Sequence, residues 1–299
     1  MTDSFIALMQ ELNQATTSHQ RRRQIGEQLA AAGDPRSGIG VQDGTPDIFW
    51  LPISLGGKVT IIRNSATIPP QDFDVAPFYI AKYPVTYAQY DAFVQAEDGF
   101  DNLAWWQGMP EAHKHQPLAQ QRIVQANNAR DTISWYQSIA FARWLTQKLS
   151  GLELPKPAGG GTFKVGDDAQ IRLPTEWEWQ WAAQNGAEIR DYPWGQVQPD
   201  YANTGESGLE QTIAVGMYPQ GATACGAMDM AGNLMEWCLN DKLDLQIIDI
   251  ASTAVKPLRG GDWGYGIENA ACGYCDDEEP SRRDFLNGFR LVLGHRLVS

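Results

Sequence analysis

Apolar residues recur at helical spacing in three places, each opened by the same polar signature. Thr86-Tyr-Ala-Gln89 precedes Tyr90, Phe93 and Val94, and Ser134-Trp-Tyr-Gln137 precedes Ile139, Phe141, Trp144 and Leu145. Thr175-Glu-Trp-Glu178 precedes Trp179 and Ala182-Ala183. A Ser or Thr oxygen that accepts from the amide three residues on, answered by a Gln or Glu reaching back, satisfies two donors that a helix start leaves open. The pattern predicts helices starting at these three positions, the first spanning Thr86 to Gln95. A further helix-prone stretch covers Thr2 to Ala32, with Phe5, Ile6, Leu8, Met9 and Leu12 on one stripe. Gly33-Asp34-Pro35 ends it, and Arg21-Arg22-Arg23 within it reads as a solvated helix face.

Elsewhere the period is that of strands. Ile53 to Leu55 and Val59 to Ile62, joined by Gly56-Gly57, predict a hairpin, and "VAPFYIAKY" predicts another strand. Beyond Asn185, Gly, Pro, Asn and Asp interrupt the chain every few residues, leaving short strand candidates at Ile213 to Met217 and Phe289 to Leu293. The class is α+β. Residues 1–45 form a helical N-terminal extension and linker, and residues 46–299 a loop-rich domain with a few helices and small sheets.

Composition narrows the function classes. With 11 Trp, 10 Tyr and 10 Phe in 299 residues, the chain has the apolar mass to fold. A net charge of −13 sets its long-range field against nucleic acid. No window matches a bilayer span and the N-terminus does not read as a secretion signal, so the expected location is cytoplasmic. Cys225, Cys238, Cys272 and Cys275 are too few and too scattered for a disulfide framework. Cys272 and Cys275 have redox spacing, but four acids from Asp276 to Glu279 oppose thiolate formation.

The ordered strings "FYIAKYPVTYAQYDAFV", "ISWYQSIAFARWLT", "IRLPTEWEWQWAA", "YPWG", "YANTGESG", "MDMAGNLMEW", "LRGGDW" and "NGFRLV" together resemble the formylglycine-generating-enzyme, or sulfatase-modifying-factor, family from about Asp47 to Val298. The resemblance implies that family's C-type lectin fold, with a few helices and small twisted antiparallel sheets. In its oxidase members a cysteine pair shortly after the Arg-Gly-Gly-Ser-Trp-like string binds copper. Here those positions carry Tyr265 and Ala270, neither a soft ligand, so no copper and no enzyme activity are expected. A related sulfoxide-synthase branch holds iron with a histidine cluster. His19, His113, His115 and His295 suggest none beyond His113-Lys-His115, which reads as a solvated loop.

Another branch, the variable proteins of diversity-generating retroelements, resembles the end of this chain more closely. It shares Arg259-Gly-Gly-Asp-Trp263, a midway Pro280 and Gly288-Phe-Arg290, which frame a variable segment over 259–290. Adenine mutagenesis of an Asn codon reaches Asp262, Gly264, Tyr265, Gly266, Cys272, Gly273, Tyr274, Asp276, Asp277, Asp284, Phe285 and Leu286, but not Glu278 or Glu279. Those twelve are the expected ligand-binding positions. The reading is a non-catalytic binding protein for a protein or peptide, with acids favouring a basic partner. The alternatives are an undiversified binding module and a formylglycine-generating oxidase acting on a cysteine-containing peptide.

Catalytic relatives also carry structural calcium. By position, one site matches Asn203 and Thr204, with Ser207 and Leu209, and another Asp229, Gly232, Leu234 and Glu236. An equal alternative for Asp229 and Glu236 is loop-organising hydrogen bonding beside Trp237. Arg259 and Arg290 read as loop-ordering groups, and Trp177, Trp179, Trp181 and Trp194 as core.

Overall fold

All three polar signatures close as capping boxes. In the computed structural model, which describes residues 3–62, 69–114 and 116–297, the α-helices are α1 (Asp3–Leu12), α2 (His19–Ala32), α3 (Tyr87–Gln95), α4 (Trp135–Lys148) and α5 (Glu176–Ala183). Thr86, Ser134 and Thr175 cap α3, α4 and α5, each accepting from the amide three residues on while that residue's side chain accepts the cap amide. Such signals are read correctly because both partners lie within one turn.

The strands are β1 (Val41–Gln42), β2 (Thr45–Pro46), β3 (Trp50–Ile53), β4 (Gly57–Ile61), β5 (Gln71–Val75) and β6 (Phe78–Ala81). They continue with β7 (Glu153–Pro155), β8 (Thr162–Lys164), β9 (Ala169–Arg172), β10 (Met235–Trp237), β11 (Lys256–Arg259), β12 (Asp276–Glu278), β13 (Asn287–Gly288) and β14 (Val292–His295). One antiparallel sheet has the order β3-β6-β14-β9, and a second has β12-β11-β10-β13, whose β10–β13 contact is parallel. α3 and α4 pack against residues of both sheets in one aromatic-rich core around Tyr90, Phe93, Phe141 and Trp144.

Three expectations change. The hairpin across Gly56-Gly57 does not form: β3 pairs with β6, and β4 with β5. Neither glycine has the positive φ that a tight hairpin turn needs. They serve close packing instead, since a Cβ on Gly56 would stand 2.5 Å from the Val75 carbonyl oxygen and one on Gly57 2.6 Å from the Trp181 ring. Ile213 to Met217 is no strand but an irregular stretch whose ladder pairing, among the described residues, is the isolated bridge from Asn128 to Ala214. The run from Phe289 to Leu293 is divided, because the chain leaves β13 in one sheet and enters β14 in the other, with Arg290 buried at the crossing.

The arginine triplet is not uniformly solvated either. Arg22 is 1% exposed. Its guanidinium donates to the carbonyls of Leu12, Gln14, Thr17 and Met217 and to the Gln220 side chain. The extension therefore docks on the turn at 217–220, and Leu12, Ile25 and Leu29 share an apolar cluster with Ile213, Met217 and Tyr218. Arg21 and Arg23 do remain outward, paired with Glu11 and Glu27.

Candidate functional site

The Arg259-Gly-Gly step is shaped by contact. Gly260 (φ 97°) lies where a Cβ would stand 3.2 Å from the Trp179 ring. Gly261 (φ 66°) lies where one would meet the Asn269–Ala270 backbone at 2.7–2.8 Å, so only glycine suits the turn. Arg259 itself is fully buried. It donates to the carbonyl oxygens of Cys272 (2.9 Å), Gly273 (3.3 Å) and Tyr274 (2.8 Å) and to the Gln180 side chain, and faces Glu176 at 3.4 Å. One buried cation thus ties the loop at 272–274 to α5.

Arg290 anchors the other end. Its Nε and Nη2 donate to the two oxygens of Glu236 at 2.6 and 2.7 Å, while its remaining hydrogens reach the Ala81 and Met228 carbonyls. Trp179 Nε1 adds a third donor to Glu236 at 2.7 Å. The two arginines order loops, as their sequence context implies. Trp179 and Trp181 lie in the core, whereas Trp177 and Trp194 are half-buried and stacked on Phe73 and Tyr192.

Between these anchors Gly264, Tyr265, Gly273, Asp277 and Phe285 are exposed, and Gly266, Tyr274, Asp276, Asp284 and Leu286 are half-buried. Tyr265 is 52% and Phe285 48% exposed, large apolar surfaces held on a fixed frame. Trp263 stacks on Phe285 with centroids 5.7 Å apart. Two of the twelve positions are corrected. Cys272 is buried in an apolar cluster with Cys238, and burial pushes its thiol up to about 12. Asp262 is 1% exposed, because its carboxylate turns back to accept from the Gly264 amide at 2.7 Å.

The other oxygen of Asp262 has no hydrogen-bond partner among the described residues. Burial, with Asp276 and Asp284 adding to it, raises this carboxyl to about 6. A folded-state value above the unfolded one means that its contribution to stability is complete only below the unfolded value and is lost as pH rises through 6. Asp262→Asn is therefore expected to match the parent near pH 3, to exceed it by about half of the final difference near pH 5, and to exceed it by roughly 2–3 kcal/mol at pH 8 in urea unfolding. Asp131 and Asp229, also pushed up to about 6 by burial, act with the same sign.

Beside the anchored loop lies a recess of about 360 Å³, lined by Gly273 and Tyr274 together with Lys58, Gln180 and Arg190. Sequence reasoning missed these last three. They come from β4, α5 and the loop after it, and only tertiary contact brings them beside the variable segment. Lys242, which pairs with Asp277 at 2.8 Å and lies 3.6 Å from the Cys275 sulfur, is another addition.

The calcium expectation fails its geometric test. Glu236 is committed to Arg290 and Trp179, and Asp229 accepts from the Gly216 amide at 2.6 Å. The Asn203 side-chain oxygen accepts from Ser207 at 2.8 Å, Thr204 donates to Glu206, and the Gly232 carbonyl accepts the Leu234 amide. A hard cation needs several oxygens with lone pairs turned inward. Here N–H and O–H donors already occupy both Glu236 oxygens, one Asp229 oxygen, the Asn203 side-chain oxygen and the Gly232 carbonyl, so these residues form a hydrogen-bonded frame that does not fit calcium. At the two positions where the oxidases carry cysteine, Tyr265 is exposed and Ala270 buried. His19, His113 and His295 lie against Tyr218, Tyr136 and Phe163 respectively, in separate parts of the fold, and His115 lies outside the described residues.

The model of the sulfatase-modifying factor enzyme 1-like domain matches residues 45–294. This chain belongs to that family. Among relatives of the domain, the hercynine oxygenase of Mycolicibacterium thermoresistibile is 26% identical over 280 residues, 82% of this chain and 56% of that protein. The formylglycine-generating enzyme of Thermomonospora curvata is 24% identical over 241 residues, 66% of this chain and 70% of its own. This sulfatase-modifying-factor-type chain spans only 54–64% of the length of the hercynine oxygenases it matches. In structure it resembles Treponema denticola variable protein 1, with a TM-score of 0.58 at 20% identity over 84% of this chain and 96% of that one. The expectation that the chain is no enzyme is corrected by these relatives, which carry enzyme names and match across most of it.

No helix among the described residues is long and apolar enough to cross a membrane.

Proposed function

We propose that the face carrying Gly264, Tyr265, Gly273, Tyr274, Asp277 and Phe285 recognises a protein or peptide ligand, its side chains varied as in a retroelement variable protein. The observation that carries this reading is the half-exposed pair Tyr265 and Phe285 on loops held by the buried Arg259 and Arg290. A rigid frame lowers the ordering cost of binding, and exposed aromatics supply contact area with few rotamers to freeze. Asp276, Asp277 and Asp284 favour a basic partner, although Lys242 and Arg282 neutralise part of that charge.

Two experiments test it. The encoding DNA should contain a near-copy of the codons for 259–290 that differs only at template adenines, and a near-copy with mismatches at other bases argues against diversification. In panning against a random peptide library, the parent should enrich a consensus that the Tyr265→Ala/Tyr274→Ala/Phe285→Ala variant fails to retain, with binding weakened at least a hundredfold. The variant's unfolding free energy should change by no more than about 1–2 kcal/mol, as these positions lie outside the core. Full retention of the consensus by the variant would place recognition elsewhere.

A second reading, catalysis at the same loops, is favoured by the names of the relatives. Supplying iron(II) with hercynine, or copper with a cysteine-containing peptide, and searching for oxidised product tests it directly.

A further inference from the structure

A second site lies away from the variable segment, between α3 and the stretch before α4. Tyr87, Tyr90, Asp91 and Val94 on α3 face Leu118, Gln121, Val124 and Arg130 across a pocket of about 300 Å³. That volume is at the small end of the range for ligand pockets.

Its polar groups are not all satisfied. Arg130, 5% exposed, lies with its guanidinium carbon 5.2 Å from the Tyr90 ring centre and 5.5 Å from that of Tyr87. One of its terminal nitrogens donates to Gln121 at 3.0 Å, and Gln121 is itself fixed by the Ile123 and Ala129 carbonyls. Arg130 Nε and the Tyr90 hydroxyl, both buried, have no partner among the described residues. Each buried donor left without an acceptor costs about 1–3 kcal/mol, and both atoms are sealed from solvent, so an acceptor in the cavity reaches them when the Tyr90 and Arg130 side chains turn toward it.

The chemistry of the walls identifies the acceptor. A carboxylate answers both an N–H and an O–H donor, and a guanidinium with its aromatic neighbours is the usual partner for it. Val94, Leu118 and Val124 supply an apolar wall, and Val124 remains 60% exposed at the surface. Asp91, half-buried in the same lining, would repel a bare anion but suits an ammonium. The net charge of −13 likewise disfavours an anion at long range and leaves a zwitterion unaffected.

We propose that this pocket binds a free amino acid with an apolar side chain. The carboxylate meets Arg130 and Tyr90, the ammonium meets Asp91, and the side chain lies against Val94, Leu118 and Val124. The site is independent of the proposed recognition face.

Isothermal titration with L-leucine, L-phenylalanine and L-methionine tests it, with 4-methylpentanoate as the probe lacking an amine. At least one amino acid should bind, and 4-methylpentanoate should bind at least about tenfold more weakly than leucine. Asp91→Asn and Val124→Glu should each weaken amino-acid binding about tenfold or more. Both substitutions fall at residues with solvent-exposed surface, so folding, followed by thermal unfolding, should be retained. Arg130→Gln should abolish binding. The proposal is overturned by absence of binding for all three amino acids at millimolar concentration, by equal binding of 4-methylpentanoate, or by binding that Val124→Glu leaves intact.

Discussion

Replacing Glu236 by Gln is expected to lower the unfolding free energy by about 3–5 kcal/mol in urea at neutral pH. The change preserves the shape of the side chain and removes the charge that both Arg290 nitrogens face at 2.6 and 2.7 Å. Arg290 and Glu236 are both inaccessible to solvent, so no water can replace the lost interaction. Arg290 also holds the carbonyls of Ala81, at the end of β6, and Met228, so an uncompensated guanidinium loosens the point where the chain crosses between the two sheets. The double variant Glu236→Gln/Arg290→Met should lose less than the sum of the single losses, because it removes the stranded charge with its partner. A single-variant loss below about 1 kcal/mol would mean that the pair does not organise this crossing.

Arg259→Met should cost a similar amount, about 3–5 kcal/mol, with a more local signature. Three carbonyls of the loop at 272–274 lose a charge-assisted donor at once, and buried Glu176 loses the cation that faces it. Hydrogen exchange should therefore accelerate at Cys272 to Cys275 while α4 stays protected. If the face around Tyr265 and Phe285 recognises a ligand, peptide retention should fall with the loop's order even though no contact residue has changed. Unaltered exchange across 272–275 would show that the loop is held by other contacts.

The two results bear on how much of the molecule could be read without coordinates. The helix starts at Thr86, Ser134 and Thr175 were legible because donor and acceptor lie three residues apart. The β3–β6 pairing was not, since Gly56-Gly57 looks the same locally whether it turns a hairpin or passes under Trp181. Burial was misread for the same reason. Arg22 and Asp262 have side chains that suit a surface, and only their distant or back-turned partners place them inside, whereas Cys272 was assigned to the surface by codon reachability against its apolar character.

By itself, then, the sequence determined the three capped helix starts, the α+β class, the ordered strings that mark the family and the framing of residues 259–290 by two arginine-bearing ends. Those features rest on interactions within a few residues or on covalent identity. The tertiary structure decided that Glu236 serves Arg290 rather than calcium, that Tyr265 and Phe285 are presented while Asp262 and Cys272 are withdrawn, and that Arg130 and Tyr90 share a pocket with unmet donors. Each of these depends on which distant groups meet in a low-dielectric interior, where a missing partner costs more than any local preference supplies.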